Sequence, residues 1–247
     1  MPIATTAYAI ACVFGAAIVR GYAGFGFSLL AVTAIALALP PATVAPSIFL
    51  TEIAASLHLL PSVWREVHWR AIGLLLLGCL AATPWGVWLL ATVPAAPMQV
   101  ALGAVVLAAA VLLRRGHALR AMPGRAATVA TGAASGLLNG AFGIGGPPVV
   151  LFFFASPAGA AAGRASVIAY FLGTDTIGLA FMLQQGLIGR EQLALALVFL
   201  PALAAGVWIG ARGFRHADPD AFRRWTLSLL MLLAALTAGQ GLLTTAR

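Results

Sequence analysis

The sequence predicts an all-α integral membrane protein with two inverted-topology repeats and eight to ten helical segments, including broken or re-entrant glycine-rich segments. Three observations support this fold class. The 247 residues are 62% hydrophobic and only 8% charged, with a mean hydropathy of +1.02. Several apolar runs approach or reach the roughly 20 residues that a helix needs to cross about 30 Å of hydrocarbon. Glycine-rich interruptions recur at nearly one spacing in the two halves of the chain.

Ten apolar runs follow one another along the chain, five in each half. The second and the seventh runs are short enough to predict half-helices rather than complete spans. No linker is long enough to separate soluble domains, and we therefore predict a single membrane domain over residues 1–247. The runs occupy residues 3–19, 25–39, 42–60, 71–91, 97–113, 127–139, 147–156, 164–184, 192–211 and 222–244.

The two halves also share residues, which indicates an internal duplication. Gly86-Val87-Trp88 recurs 120 residues later as Gly206-Val207-Trp208. Three glycines recur 119 residues later, namely Gly21, Gly24 and Gly26, which align with Gly140, Gly143 and Gly145. These matches predict a first repeat over 3–113, a linker over 114–126 and a second repeat over 127–247. An odd number of crossings in each half would invert the second repeat relative to the first.

Arginine accounts for all 14 basic residues and predicts the orientation of the chain, whose net charge is +8. If the runs cross in turn from an outside N-terminus, only Arg190 and Arg247 fall on the outer side. By the positive-inside rule, the linker 114–126 and the loop 212–224 are then cytoplasmic, and both termini face outward. Because the arginines lie mostly in short loops, their charge indicates topology, and we predict no nucleic-acid partner.

The chain is organised around the glycine-rich run Asn139–Pro148, which has a weaker copy at Arg20–Ser28. A helix that starts at Gly26 or Gly146 exposes unpaired backbone N–H groups and the positive end of its dipole, which favours a small anion. The alternative is that these glycines serve only close helix packing. The predicted substrate-binding residues are Arg20, Gly21, Gly24, Gly26, Ser28, Asn139, Gly140, Gly143, Gly145 and Gly146.

Arg20 and Asn139 occupy matching positions immediately before the two breaks. Arginine can offer an anion a full charge and a bidentate fork, and asparagine can donate an amide N–H. Arg20 could instead extend to the cytoplasmic interface as a topology anchor. Pro147 and Pro148 have no N–H to donate, so the second break has fewer backbone donors, whereas the first break adds the Ser28 hydroxyl.

Two acidic residues, Glu52 and Asp175, lie inside apolar runs. Intramembrane carboxylates are costly and usually face a cavity, pair with arginine or carry protons, so both are candidates for coupling transport to a proton gradient. Glu52 could equally form a structural ion pair with Arg20, and Asp175 could be held by hydrogen bonds. His58 is a third coupling candidate, with an interfacial histidine as the alternative.

The sequence predicts neither a metal site nor a cofactor. Cys12 and Cys79 lie within apolar runs and have no metal-ligand spacing, and the histidines are scattered. The serines in the apolar runs have no convincing histidine partner at the same depth. We therefore predict no catalytic residues and no enzymatic activity.

The duplicated break, strongest as the run Gly140–Pro148, resembles the motif of the TauE/SafE sulfite exporter family, and the likeness extends over nearly the whole chain. The first copy departs from the pattern, with Phe27-Ser28 where the second has Gly146-Pro147. The resemblance implies a multi-pass carrier of the bacterial inner membrane for small sulfur-containing anions such as sulfite, sulfoacetate or thiosulfate, often moved outward.

We therefore expect a secondary transporter and exporter of small anions that works by alternating access around a site at the bilayer midplane. In that arrangement the central linker is cytoplasmic and both termini are periplasmic. Two alternatives remain open. An anion channel would use the same helix dipoles along a continuous pore. A membrane subunit that anchors a partner would instead use its cytoplasmic loops for docking. The sequence does not indicate an oligomeric state.

Overall fold

In the computed structural model, the described residues are 3–115, 122–157, 160–213 and 219–245. Within these ranges the chain forms ten α-helices and one 3₁₀ turn at Trp64–Glu66 and contains no strand, so the predicted all-α fold is confirmed. The helices are α1 (Ile3–Ala23), α2 (Phe27–Ile35), α3 (Pro41–Val63), α4 (Trp69–Thr92), α5 (Ala95–Arg115), α6 (Arg125–Phe142), α7 (Gly146–Ala155), α8 (Ala160–Gln184), α9 (Arg190–Gly213) and α10 (Pro219–Thr245).

Six of the described helices are long and apolar enough to cross a membrane, namely α1, α3, α4, α5, α8 and α9. Large apolar side chains stay exposed on their surfaces, among them Trp85 and Trp88 of α4 and Trp208 of α9. Exposed rings of this size suit contact with lipid better than contact with water. These features confirm the prediction of an integral membrane protein.

Parts of the two predicted cytoplasmic segments lie outside the described residues. They are residues 116–121 of the linker 114–126 and residues 214–218 of the loop 212–224. The orientation of the linker and of both termini therefore remains a prediction.

The two short helices are half-helices. At 1.5 Å per residue, the 9 residues of α2 and the 10 of α7 extend over about 14 and 15 Å, roughly half of a bilayer core. The Tyr8 hydroxyl of α1 donates a hydrogen bond to the Ala34 carbonyl near the end of α2, at 2.8 Å. Because Tyr8 lies far from the break along α1, α2 folds back beside α1. The first glycine break is therefore the tip of a helical hairpin formed by α1 and α2.

At three positions in the breaks, the backbone conformation requires glycine. Gly24, Gly26 and Gly143 have φ angles of 79°, 91° and 72°, in the left-handed region that other residues rarely adopt. Helix α6 ends where the Gly143 N–H donates to the Asn139 carbonyl at 2.8 Å. The φ of Gly145 is −68°, a value that any residue can adopt. Glycine at this position is explained by its small size, because an added Cβ would lie 2.8 Å from the Cβ of Asn139.

Helix α2 lies inside the bundle, because all nine of its residues are buried. Helices α5 and α10 satisfy the carbonyls at its C-terminal end. Gln99 of α5 donates to the Ala36 carbonyl at 2.7 Å, and Gln240 of α10 donates to the Leu37 carbonyl at 2.9 Å. Thr237 of α10 also donates to a carbonyl of α2, at 3.1 Å. Helix α2 is thus fixed near its C-terminal end by three other helices, α1, α5 and α10.

Each half packs its first helix against the other half. Helix α1 packs on α9 and α6 packs on α4, while α3 pairs with α8 and α5 pairs with α10. Exchange of α1–α5 with α6–α10 would map the α1–α9 pair onto the α6–α4 pair, and it would map the α3–α8 and α5–α10 pairs onto themselves. This arrangement is the one that a duplicated fold would produce, although the duplication and its inverted topology remain predictions.

Candidate functional site

The starts of the two half-helices meet at a small cavity. Gly26 and Ser28 line it from the first break, Gly146 and Pro147 line it from the second, and Phe171 of α8 closes one side. The structure thus brings together the two glycine-rich stretches that are 119 residues apart in sequence. The cavity volume is about 10 Å³, roughly the space of one water molecule. A polyatomic anion could enter only if the helix starts separate.

Arg20 is fully buried beside this cavity. One of its terminal nitrogens forms an ion pair with Glu52, and the other donates to the Ser56 hydroxyl at 2.9 Å. Its guanidinium lies over the Phe171 ring, 5.2 Å from the centroid. The ion pair that the sequence suggested is therefore present, and the Arg20 side chain stays within the bundle rather than extending to the membrane surface.

Asn139 uses both ends of its amide within the protein. Its oxygen accepts a hydrogen bond from the Gly145 N–H at 3.0 Å, and its nitrogen donates to a carboxylate oxygen of Asp175 at 3.0 Å. This hydrogen-bond pattern assigns the orientation of the amide. In this conformation neither the Asn139 amide nor the Gly145 N–H is free to bind a ligand. Asn139 instead connects the second break to the buried acid.

The two polar pairs occupy equivalent positions in the halves. Arg20 and Asn139 are 119 residues apart, and so are their partners Ser56 and Asp175. Sequence reasoning had missed Ser56, although the spacing of 119 applied to Asp175 would have identified it. The first half therefore places a cation where the second places a neutral amide.

Three buried polar atoms of this region have no hydrogen-bond partner among the described residues. They are Nε of Arg20, Oε2 of Glu52 and Oδ2 of Asp175. Asp175 is within electrostatic range of both Glu52 and Arg20. The cluster therefore contains two carboxylates and a single guanidinium, and each carboxylate retains an oxygen that could bind a proton.

Two of the predicted binding residues face neighbouring helices instead of the cavity. A Cβ atom at Gly21 would overlap the Val207 carbonyl of α9, and one at Gly140 would lie 2.6 Å from the Thr83 carbonyl of α4. These positions fit the helix-packing alternative. At the hairpin tips, Gly24 packs against Arg164, and Gly143 faces the Phe49 side chain.

His58 is exposed near the end of α3, so the structure does not bring it into the cluster of Glu52 and Asp175. Throughout the described ranges, no three His, Cys, Asp or Glu side chains are grouped so that they could hold a metal ion.

A set of neutral polar side chains behind the second break was not anticipated from the sequence. Thr174 of α8 contacts the Cys79 sulfur at 3.0 Å and lies 3.4 Å from the Asn139 amide nitrogen. The Ser135 hydroxyl donates to the Gly145 carbonyl, and the Tyr170 side chain is fully buried in the same region. The only signal was that Tyr170 and Thr174 are one turn apart on α8, next to Asp175.

Comparison with known proteins identifies related transporters. The family model described as "Sulfite exporter TauE/SafE" matches residues 9–237. A relative from Cupriavidus necator named "Probable sulfite/organosulfonate exporter TauE" is 28% identical over 220 residues, covering 86% of this chain and 84% of the relative. "Probable inner membrane transporter protein TsaS" from Comamonas testosteroni is 31% identical over 182 residues, covering 72% and 75%. No solved structure matches.

Proposed function

Because the chain belongs to the TauE/SafE sulfite exporter family, we propose that it exports small sulfur-containing anions, such as sulfite, sulfoacetate or thiosulfate, by alternating access. The observation that carries this proposal is the cavity between the starts of α2 and α7. The chain is a multi-pass protein of the inner membrane, and its family and relatives are transporters rather than enzymes.

The anion is held mainly by backbone groups and helix dipoles. The first intrahelical bond of α2 runs from Leu30 to Gly26 at 3.1 Å, which leaves the N–H groups of Phe27, Ser28 and Leu29 ahead of it. Each helix start carries about half a positive charge, so two converging starts supply about one. Arg20 adds less net charge, because Glu52 pairs with it.

Alternating access requires the two hairpins to move apart, because the cavity is too small for a sulfur oxyanion. The left-handed glycines Gly24, Gly26 and Gly143 lie where such a hinge is needed. Each half packs its first helix against the other half, α1 on α9 and α6 on α4. This packing supports two equivalent units that rock about the cavity.

A buried acid couples the movement to protons. Glu52 and Asp175 each have an oxygen without a hydrogen-bond partner in the described structure. Glu52 is held by Arg20, whereas the hydrogen bond that Asp175 accepts among the described residues comes from the neutral amide of Asn139. Asp175 is therefore the better proton carrier of the two, since its protonation leaves the ion pair intact.

The test is uptake of radiolabelled sulfite, thiosulfate and sulfoacetate into liposomes that contain the purified protein. The variant Gly146→Ala places a methyl group at the cavity wall, 3.1 Å from the Phe171 ring. We expect saturable uptake by the wild type and a loss of about tenfold in the variant, which corresponds to about 1.4 kcal/mol. Gly73→Ala is the control, because its added methyl group contacts nothing within 4 Å.

Two outcomes would contradict the proposal. Current that rises with voltage without saturating would indicate an anion channel. Absence of both uptake and current, with function lost only on substitution in the loops 114–125 and 212–224, would indicate a membrane subunit that anchors a partner.

A further inference from the structure

Arg164 is a charged residue at the edge of the site that has no partner among the described residues. It is the fifth residue of α8, and it forms neither an ion pair nor a hydrogen bond with any part of the chain that the structure describes. Its Nε atom is nonetheless buried. Leaving a buried donor of a charged group unsatisfied is costly, so an acceptor supplied by a ligand would be stabilised there.

Arg164 packs directly on the tip of the first hairpin. A Cβ atom added at Gly24 would lie 2.7 Å from both Cγ and Nε of Arg164. Glycine at this position therefore makes room for the arginine, in addition to allowing the φ of 79°. Gly26, which lines the cavity, is two residues further along the chain. Two residues span at most about 7 Å, so Arg164 lies close to the cavity without lining it.

The equivalent position in the other half has no charge. Ala45 is 119 residues before Arg164, and its Cβ lies 3.5 Å from the position of a Cβ added at Gly143. Each hairpin tip is thus packed against the start of a long helix from the opposite half. The first tip thus has an arginine at this position where the second has an alanine, so the two equivalent positions differ in charge.

We propose that Arg164 binds the second anionic group of a substrate that has two, such as the carboxylate of sulfoacetate, while the starts of α2 and α7 hold the sulfonate. A guanidinium can bind a carboxylate through two parallel hydrogen bonds, which gives direction as well as charge. Arg164 is then the residue that distinguishes dianions from monoanions. This inference rests on the function proposed above.

The test compares two sulfonates of the same carbon count. Sulfoacetate has a carboxylate where isethionate has a neutral alcohol, so the pair isolates the second charge. Dissociation constants are measured by calorimetry for the purified full chain and for Arg164→Gln. We expect the variant to bind sulfoacetate about tenfold more weakly or worse, and isethionate within about twofold of the wild type. Arg190→Gln, which removes an exposed arginine at the start of α9, should change neither.

Arg164→Lys provides a second variant in case Arg164→Gln does not fold. It keeps the charge but loses the fork, and it should weaken sulfoacetate binding relative to isethionate binding. Equal effects on both ligands, or no effect on either, would overturn the role of Arg164 while leaving the transporter intact. A wild-type protein that binds and transports no sulfonate at all would instead overturn the proposed function, and this inference with it.

Discussion

The guanidinium of Arg20 binds two buried acceptors, Glu52 and Ser56, at the centre of this protein. Arg20 and Glu52 are 0% and 1% exposed, so their pairing takes place almost without water. Removing one partner of such a pair typically costs about 3–5 kcal/mol, because the other charge is left buried and uncompensated. Arg20 is therefore held in place by Glu52 and Ser56 whether or not a substrate is bound, and its burial is explained without any role as a topology anchor.

Asp175→Asn tests proton coupling at the scale of one side chain. The substitution removes the ionisable group, keeps its shape and still allows a hydrogen bond from Asn139. We expect exchange of labelled for unlabelled anion across the liposome membrane to stay within about threefold of the wild type, a change of less than 1 kcal/mol. The response of net uptake to an imposed pH gradient should disappear.

The control for this prediction is Glu66→Gln, which removes an exposed carboxylate at the end of the 3₁₀ turn. A variant Asp175→Asn that still follows the pH gradient would eliminate Asp175 as the proton carrier.

The sequence could identify the residue types of the site but not how their hydrogen bonds are used. Glu52, Asp175, Arg20 and Asn139 stood out because polar groups are rare in apolar runs. Their pairing depends on which faces of α1, α3, α6 and α8 meet, which periodicity alone does not determine. Ser56 was missed for that reason, since a serine in a membrane helix is unremarkable until an arginine is seen beside it.

Among the helices, the two broken hairpins, α1–α2 and α6–α7, differ in how firmly their second helix is fixed. The end of α2 receives side-chain hydrogen bonds from α1, α5 and α10. At the end of α7, the Ser156 hydroxyl donates only to the Phe153 carbonyl three residues earlier, at 2.8 Å. Within the described residues, α7 therefore has fewer bonds to break when the hairpins separate.

Gly21→Ala tests whether a break glycine serves packing or binding. The added methyl group would overlap the Val207 carbonyl of α9, and a backbone atom cannot move away at low cost. We expect a stability loss of about 1–3 kcal/mol, seen as a lower unfolding temperature in detergent, with unchanged anion affinity in the folded fraction.

Gly15→Ala on the same helix is the matched control, because its added methyl group contacts nothing within 4 Å. It should leave the unfolding temperature unchanged or raise it, since alanine favours a helix over glycine. If Gly21→Ala instead lowered affinity at unchanged stability, Gly21 would be a ligand-binding residue, as the sequence first suggested.

For the whole molecule, hydropathy predicted the number and order of the helices well. All ten predicted runs correspond to described helices, with ends that differ by a few residues. Hydropathy could not decide whether the broken segments cross the membrane or re-enter, because a hairpin and a pair of crossings leave the later loops on the same sides. The Tyr8 contact with Ala34 shows that α2 runs back beside α1, but a re-entrant hairpin and an antiparallel pair of crossings share this contact, so the re-entrant arrangement stays a prediction.

The orientation of the whole chain can be tested with reporter fusions. Twelve of the 14 arginines fall on one side if the N-terminus is outside, which predicts a cytoplasmic linker and periplasmic termini. Alkaline phosphatase, which is active only in the periplasm, should be active when fused after Arg247 and inactive when fused after Arg115. Green fluorescent protein at the same two positions should give the reverse pattern. Activity of the phosphatase at Arg115 alone would invert the predicted orientation.

The exchange of first helices between the halves also has a consequence for biosynthesis. Helix α1 leaves the ribosome first, but the helix on which it packs, α9, begins only at Arg190. At about 5–20 residues per second, α1 would wait in the bilayer for roughly 10–40 seconds before its partner is made. During that interval the nascent chain presents an unpaired face to chaperones and membrane proteases. The two halves, expressed as separate polypeptides, would each need the other to escape degradation.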